Sequence, residues 1–196
     1  MPKVSDAHRA SRREQVLDAA LRCFSQRGFQ RTSMADIIRE SGLSAGAIYL
    51  QFPGKQQIAA AVAERVLSHR LGDIAERMAH PPLPAPAELI RLLTDGFRED
   101  SVDARLLLQV WGESVHDDEM SGFVDVVFAR VRAAIEGYLA QWRREAHGAT
   151  ADDAVAWARL MTPVFMGLVQ GCVVQSTLVP AFDRDAYLAG VATLFA

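Results

Sequence analysis

The stretch from Ser44 to Lys55, SAGAIYLQFPGK, holds few side chains able to do polar chemistry. Two hydroxyls (Ser44, Tyr49), one amide (Gln51) and one ammonium (Lys55) stand among the small residues Ala45, Gly46 and Ala47. Just upstream, Thr32 and Ser33 add two further hydroxyls. No sequence neighbour offers these hydroxyls a base, so nucleophilic catalysis has no support here. Hydroxyl, amide and ammonium donors suit phosphodiester oxygens, and an amide can also pair with an adenine edge. The Tyr49 ring suits a thymine methyl group. Small residues let a helix backbone settle into a major groove about 12 Å wide. Gly46 costs a helix about 1 kcal/mol relative to alanine, which close approach would explain. Ser33 and Ser44 are also suited to capping helices, and the two roles are compatible.

Such side chains need short helices to hold them in register. Val16, Leu17, Ala20, Leu21 and Phe24 recur at helical spacing. Ser11 with Glu14 matches a capping box that would start this first helix, and Gly28 suits its end. Ser33 with Asp36 forms a second such pattern and opens a short helix through Ile37, Ile38 and Ser41. Gly42 marks a tight turn, Ser44 caps a third helix ending near Phe52, and Pro53 suits the first turn of a fourth. Ile37, Ile38, Leu43, Ile48 and Phe52 would pack on Leu21 and Phe24. Two short helices joined at Gly42 make a helix-turn-helix candidate.

Residues 80–86 hold four prolines in seven positions and read as a hinge. Beyond them, helices are predicted near 87–100, 103–117, 121–146, 152–178 and 184–195. Asp152 and Asp183 suit the starts of the last two. There is no strand-like alternation and no internal repeat. The expected architecture is all-α, with an N-terminal three-helix helix-turn-helix module over 1–60. A C-terminal helical bundle with dimerisation helices covers 61–196.

Bulk properties limit the function classes. Half of the 196 residues are hydrophobic and 23% are charged, which excludes an intrinsically disordered chain. Cys23 and Cys172 offer no disulfide framework or metal spacing, and a reducing cytoplasm is expected. No apolar signal region opens the chain. The apolar run Leu160 to Val174 is interrupted by Gln170 and is shorter than the ~20 residues of a membrane span, so it reads as a buried helix. The net charge of −3 is uneven: residues 1–60 hold nine Lys and Arg against five Asp and Glu, the remainder twelve against nineteen. A basic end on an acidic body points to a polyanionic partner.

The segment Thr32-Ser-Met-Ala-Asp-Ile-Ile-Arg-Glu-Ser-Gly-Leu-Ser-Ala-Gly-Ala-Ile-Tyr-Leu-Gln-Phe-Pro-Gly-Lys55 resembles the DNA-binding module of TetR-family transcriptional regulators. The likeness covers about residues 10–60. The Gly-Leu-Ser turn, Ile48-Tyr49, Phe52 and Lys55 fall at family spacing. It implies an all-helical homodimer and ligand-controlled binding to double-stranded, palindromic operator DNA, usually as a repressor. It also implies that Ser33, Ser44, Ala45, Gly46, Tyr49 and Lys55 lie on the DNA; Thr32 and Gln51 join them as candidates from their own chemistry. The family often carries aromatic or His residues at the positions of Leu50 and Gln51, so this chain departs there.

The C-terminal region shows apolar bulk rather than a catalytic set. Trp111, Phe128, Met161 and Phe165 are candidates to line a cavity for a small, largely apolar effector. The alternative for each is ordinary core. Gly167 and Gly171 permit close helix approach, and residues near 155–176 and 184–195 are expected to form a two-fold interface. His116-Asp-Asp-Glu119 cannot aim contiguous side chains at one ion, and the five histidines show no paired spacing. No metal, cofactor, membrane partner or enzymatic activity is expected. Two other readings stay open. One is a small-molecule-binding helical protein or enzyme whose N-terminal helices do not bind DNA; the other is an effector-independent DNA-binding protein.

Overall fold

The structure is a computed structural model and describes residues 6–80, 82–99 and 104–196. Among the described residues there are nine helices and no strand, so the all-α class holds. The helices are α1 (Asp6–Arg27), α2 (Met34–Ser41), α3 (Ala45–Tyr49), α4 (Lys55–Met78), α5 (Pro86–Glu99), α6 (Ala104–Ser114), α7 (Asp118–His147), α8 (Ala151–Leu178) and α9 (Arg184–Leu194). Pro81, and the expected helix limits at 100 and 103, lie outside the described residues. The fold divides into two compact units. The described residues of 1–66 and 101–124 form one, and those of 67–100 and 125–196 form the other.

In the first unit, α1 begins at Asp6, so Ser11 lies inside the helix and does not cap it. Nothing in Asp6–Ala10 breaks a helix, and its alanines and arginine extend one readily. Val16, Leu17, Ala20 and Phe24 of α1 pack with Ile37 of α2 and Ile48 of α3. Phe52 and, from α4, Ile58 and Val62 complete that wall. Leu106 of α6 and Met120 of α7 close the same core. Asp117 caps α7, its carboxylate accepting the Met120 N–H at 2.8 Å.

In the second unit, α5, α8 and α9 pack on one another. Ile90, Tyr138, Leu139, Phe165, Cys172, Leu188 and Val191 form their buried centre. Thr150 caps α8 and Asp183 caps α9, each accepting a backbone N–H three residues on. Arg184 binds Asp95 and Thr94 and donates to the Arg91 carbonyl at 2.9 Å, which ties the start of α9 to α5. By length and composition α8 is apolar enough to cross a membrane. In this unit 33% of its most apolar stretch is buried, Ala154, Ala158, Phe165, Met166 and Cys172 being among its buried residues.

In the proline-rich stretch the Tyr138 hydroxyl donates to the Pro84 carbonyl at 2.6 Å in a buried bond, and Arg77 donates to the His80 carbonyl at 3.1 Å. Burial, with Glu88 adding to it, keeps that hydroxyl protonated well above the usual tyrosine range. Tyr138→Phe leaves the Pro84 carbonyl without its partner. Urea denaturation should show a loss of about 1–2 kcal/mol with an unchanged m-value.

Candidate nucleic-acid interface

The helix-turn-helix is oriented by the turn that joins α1 to α2. Gly28 adopts φ +80°, a left-handed conformation, and its N–H donates to the Phe24 carbonyl at 2.8 Å. The next peptide is gripped on both sides. The Phe29 N–H donates to Oε1 of Gln109 on α6 at 2.8 Å, and the Phe29 carbonyl accepts from Nζ of Lys55 on α4 at 2.9 Å. That ammonium lies 4.4 Å from the Phe29 ring centroid, and the Phe29 ring packs 5.5 Å from that of Phe24. Burial lowers the Lys55 pKa, while nearby Glu113 opposes the shift. Thr32 is 2% exposed, and its hydroxyl faces the Gly28 carbonyl at 2.8 Å and the Cys23 carbonyl at 3.2 Å.

The α2 start carries a complete capping box. The Ser33 Oγ accepts the Asp36 N–H at 3.2 Å, and the Asp36 carboxylate accepts the Ser33 N–H at 3.0 Å and its hydroxyl at 2.6 Å. Arg27 reaches the same carboxylate at 2.7 Å, and Arg39 joins it from one turn on. The two Ser33 hydrogen bonds, then Arg39, hold the Asp36 carboxyl far below the usual carboxylate range. At the far end of α2, Gln15 Nε2 donates to the Ser41 carbonyl at 2.8 Å. Gly42 then turns the chain at φ +67°.

Helix α3 is five residues long and turns Ile48 inward, with Phe52 beyond it, both essentially sealed from solvent. Ser44 caps it through the Ala47 N–H at 3.3 Å. Ser33, Ser44, Ala45, Gly46 and Tyr49 are exposed, Gln51 and Lys55 half-buried. All seven belong to the first unit. Thr32 is the correction. It was expected to offer its hydroxyl to phosphate, yet that hydroxyl is turned inward onto two carbonyls and shapes the α1–α2 turn instead. Two residues of the first unit were absent from the expected set. Leu50 is 86% exposed, and its place opposite Ile48 and Phe52 was legible from helical spacing. Gln109 lies 80 residues from its partner and left no sequence signal.

The candidate effector residues fall in both units. Trp111 is half-buried in the first unit, whereas Phe128, Met161 and Phe165 belong to the core of the second. Phe165 is fully enclosed, 6.1 Å from the Tyr138 ring and 6.2 Å from that of Phe195. An open hollow of about 570 Å³ in the second unit is lined by other residues: Gly137, Gln141, Arg144, Glu145, Gly148 and Ala149.

Comparison with known proteins places these features. The family model of bacterial regulatory proteins of the tetR family matches residues 16–62. That of the BetI-type transcriptional repressor C-terminal region matches residues 85–196. An HTH-type transcriptional repressor of Mycobacterium tuberculosis is 39% identical over 77 residues, which is 39% of this chain and 41% of the relative. The repressor AcnR of Corynebacterium diphtheriae is 28% identical over 166 residues, 72% of this chain and 86% of the relative. The curated relatives matched first are covered over 48% of their length or less. Among solved structures, FadR of Bacillus subtilis in complex with stearoyl-CoA superposes with a TM-score of 0.70 at 16% identity, over 93% of this chain and 96% of that one. A transcriptional regulator from Saccharomonospora viridis in complex with choline gives 0.68 at 21%, over 94% and 95%. At such identities these two likenesses speak for the fold.

The geometry fixes how four variants behave. A Cβ on Gly28 would stand 2.7 Å from Gln109 Oε1 and would also strain the backbone. Gly28→Ala should cost about 1–2 kcal/mol or more in urea denaturation. Gln109→Ala alone should cost about 1 kcal/mol through the lost Phe29 bond. In the double variant the clash is relieved and the backbone strain persists, so the two losses should sum to more than the measured total. For Asp36, a folded pKa below the unfolded one gives stability that is full above about pH 4 and is lost as pH falls. Asp36→Asn should flatten the acid limb of the stability–pH curve.

Proposed function

This chain belongs to the TetR family of bacterial regulatory proteins, and on that premise we propose that it is a ligand-responsive repressor that binds a palindromic operator as a homodimer. The observation that carries the reading is the surface of α3. Its inward side is locked by Ile48 and Phe52, while Ser44, Ala45, Gly46 and Tyr49 face outward as a slim, uncharged edge. Residues 1–60 act as the DNA-binding domain. Ser33, Ser44, Tyr49 and Gln51 reach phosphates or base edges, and Ala45 and Gly46 permit the approach. The Lys55 ammonium has three donors. The Phe29 and Gln30 carbonyls, at 2.9 and 3.4 Å, take two of them. Its charge and the remaining donor serve a phosphate, so one side chain braces the turn and contacts the duplex.

Residues 61–196 carry effector binding and dimerisation. Val155, Leu160, Val164 and Leu178 of α8 and Leu194 of α9 are exposed and apolar, which supports a two-fold interface through these helices. Gly167 supports it too, since a Cβ there would meet nothing within 4 Å. Gly171 instead faces Tyr187 Oη at 3.1 Å and serves packing within the chain. The effector is a small, largely apolar molecule held by Phe128, Met161 and Phe165. A cage for a quaternary ammonium has less support, because the Trp157 face already carries the Arg143 guanidinium at 5.1 Å. The protein works in the cytoplasm, with no catalytic step and no membrane partner. Effector binding shifts the population of states so that the two α3 copies no longer match successive grooves about 34 Å apart.

Fluorescence anisotropy against a randomised duplex pool tests this reading. The protein should enrich a palindromic sequence, and log Kobs should fall linearly with log salt. Tyr49→Ala should weaken that binding at least tenfold without changing the melting temperature, since Tyr49 is about half exposed. Lys55→Ala should weaken binding and also cost about 1–2 kcal/mol of stability, because it removes the Phe29 brace. Retained affinity in both variants rejects the interface. Light scattering that gives a monomer at micromolar concentration rejects the dimer.

A further inference from the structure

Two residues on the outermost line of α3 have no explanation inside the chain. Gly46 is exposed, and a Cβ there would meet nothing within 4 Å, so any side chain would fit the protein itself. Glycine is nonetheless poorly suited to a helix. Leu50, one turn later, is 86% exposed, more than any other large apolar side chain among the described residues. Its backbone is helical, at φ −64° and ψ −27°, and its N–H donates to the Gly46 carbonyl at 3.1 Å. Leu50 therefore lies in direct continuation of α3. It is two residues from both Ile48 and Phe52, and at about 100° per residue that turns it to the side opposite them. Helical side chains lean toward the N-terminus, so Leu50 projects over the open space that Gly46 leaves. The result is an aliphatic group beside a notch, at the crest of the helix.

Residues 44–52 carry no charge. In the major groove, an uncharged aliphatic group on such a crest has one matching apolar feature, the C5-methyl of thymine. No other base pair presents a comparable group there. We propose that Leu50 is a specificity-determining residue that selects thymine at one position of each operator half-site by packing on its C5-methyl, with Gly46 leaving room for that base pair to come close. This inference rests on the DNA-binding reading and adds a base preference to it. Gln51, the neighbouring polar candidate, is half-buried and less fully presented.

Deoxyuridine provides the test, because it keeps every hydrogen-bonding atom of thymine and lacks only the methyl. The duplex enriched by the wild-type protein is resynthesised with each thymine replaced singly by deoxyuridine. Affinities are measured for the wild type and for Leu50→Ala, whose helix content is checked by circular dichroism. At one thymine per half-site the wild type should lose about fourfold, the factor that burial of one methyl supplies. Leu50→Ala should bind the thymine duplex more weakly and be indifferent to that same replacement. Equal losses in both proteins at every thymine, or no loss at any, overturns the assignment while the DNA-binding reading stands. Failure of the wild-type protein to prefer any duplex overturns both.

Discussion

The peptide of Phe29 is held from two directions, its N–H by Gln109 and its carbonyl by Lys55, and its ring closes the core over Phe24. Everything that follows in the chain up to α4 takes its direction from this grip. The turn is sharp because Gly28 is left-handed, and it is stable because Thr32 folds its hydroxyl back onto the carbonyls it leaves behind. A turn with such carbonyls exposed would exchange these bonds for water and lose its definition. Held as it is, it delivers Ser33 to the start of α2 in capping geometry. The same Lys55 that secures it stands at the start of α4, so α2 and α3 are suspended between two fixed points.

That suspension matters because α3 has little stability of its own. Five residues are far fewer than the ~12–15 an isolated helix needs. Its position comes from Ile48 and Phe52 in the core, from the Ser44 cap and from the rigid α2 before it. The charged residues around it contribute differently. Arg27 and Arg39 converge on Asp36 at an exposed edge, where ion pairs add little to stability. Their effect is to order the α2 start. A surface reader built in this way can be slim and uncharged at its crest, since the parts that orient it lie behind it.

The second unit follows a different logic. Its helices bury aromatic rings against one another: Trp142 packs on Trp157 and Phe195, and Phe165 packs on Tyr138 and Phe195. Helix α8 is apolar on nearly all sides, yet only part of it is covered within the chain. Its uncovered apolar side is the surface through which a two-fold interface is proposed. The chain's two glycines on α8 divide the work, since Gly171 admits Tyr187 from α9 and Gly167 is open.

Local rules of sequence determined much of this protein. Helical spacing, caps and glycine stops identified nearly every helix, including the Ser33–Asp36 box, because each depends on residues within one turn of another. They also identified which side of α3 is inward, for the same reason. They misplaced the start of α1, where a capping pattern at Ser11 sits inside a sequence that is helical anyway. Tertiary structure alone decided which partners the polar groups take. It turned Thr32 inward and gave Lys55 a second task. It brought Gln109 and Leu106 from α6 into the first unit. The physical reason is range: a cap is closed by neighbours three residues away, whereas the bond between Phe29 and Gln109 spans 80 residues and exists only once the core has placed both ends.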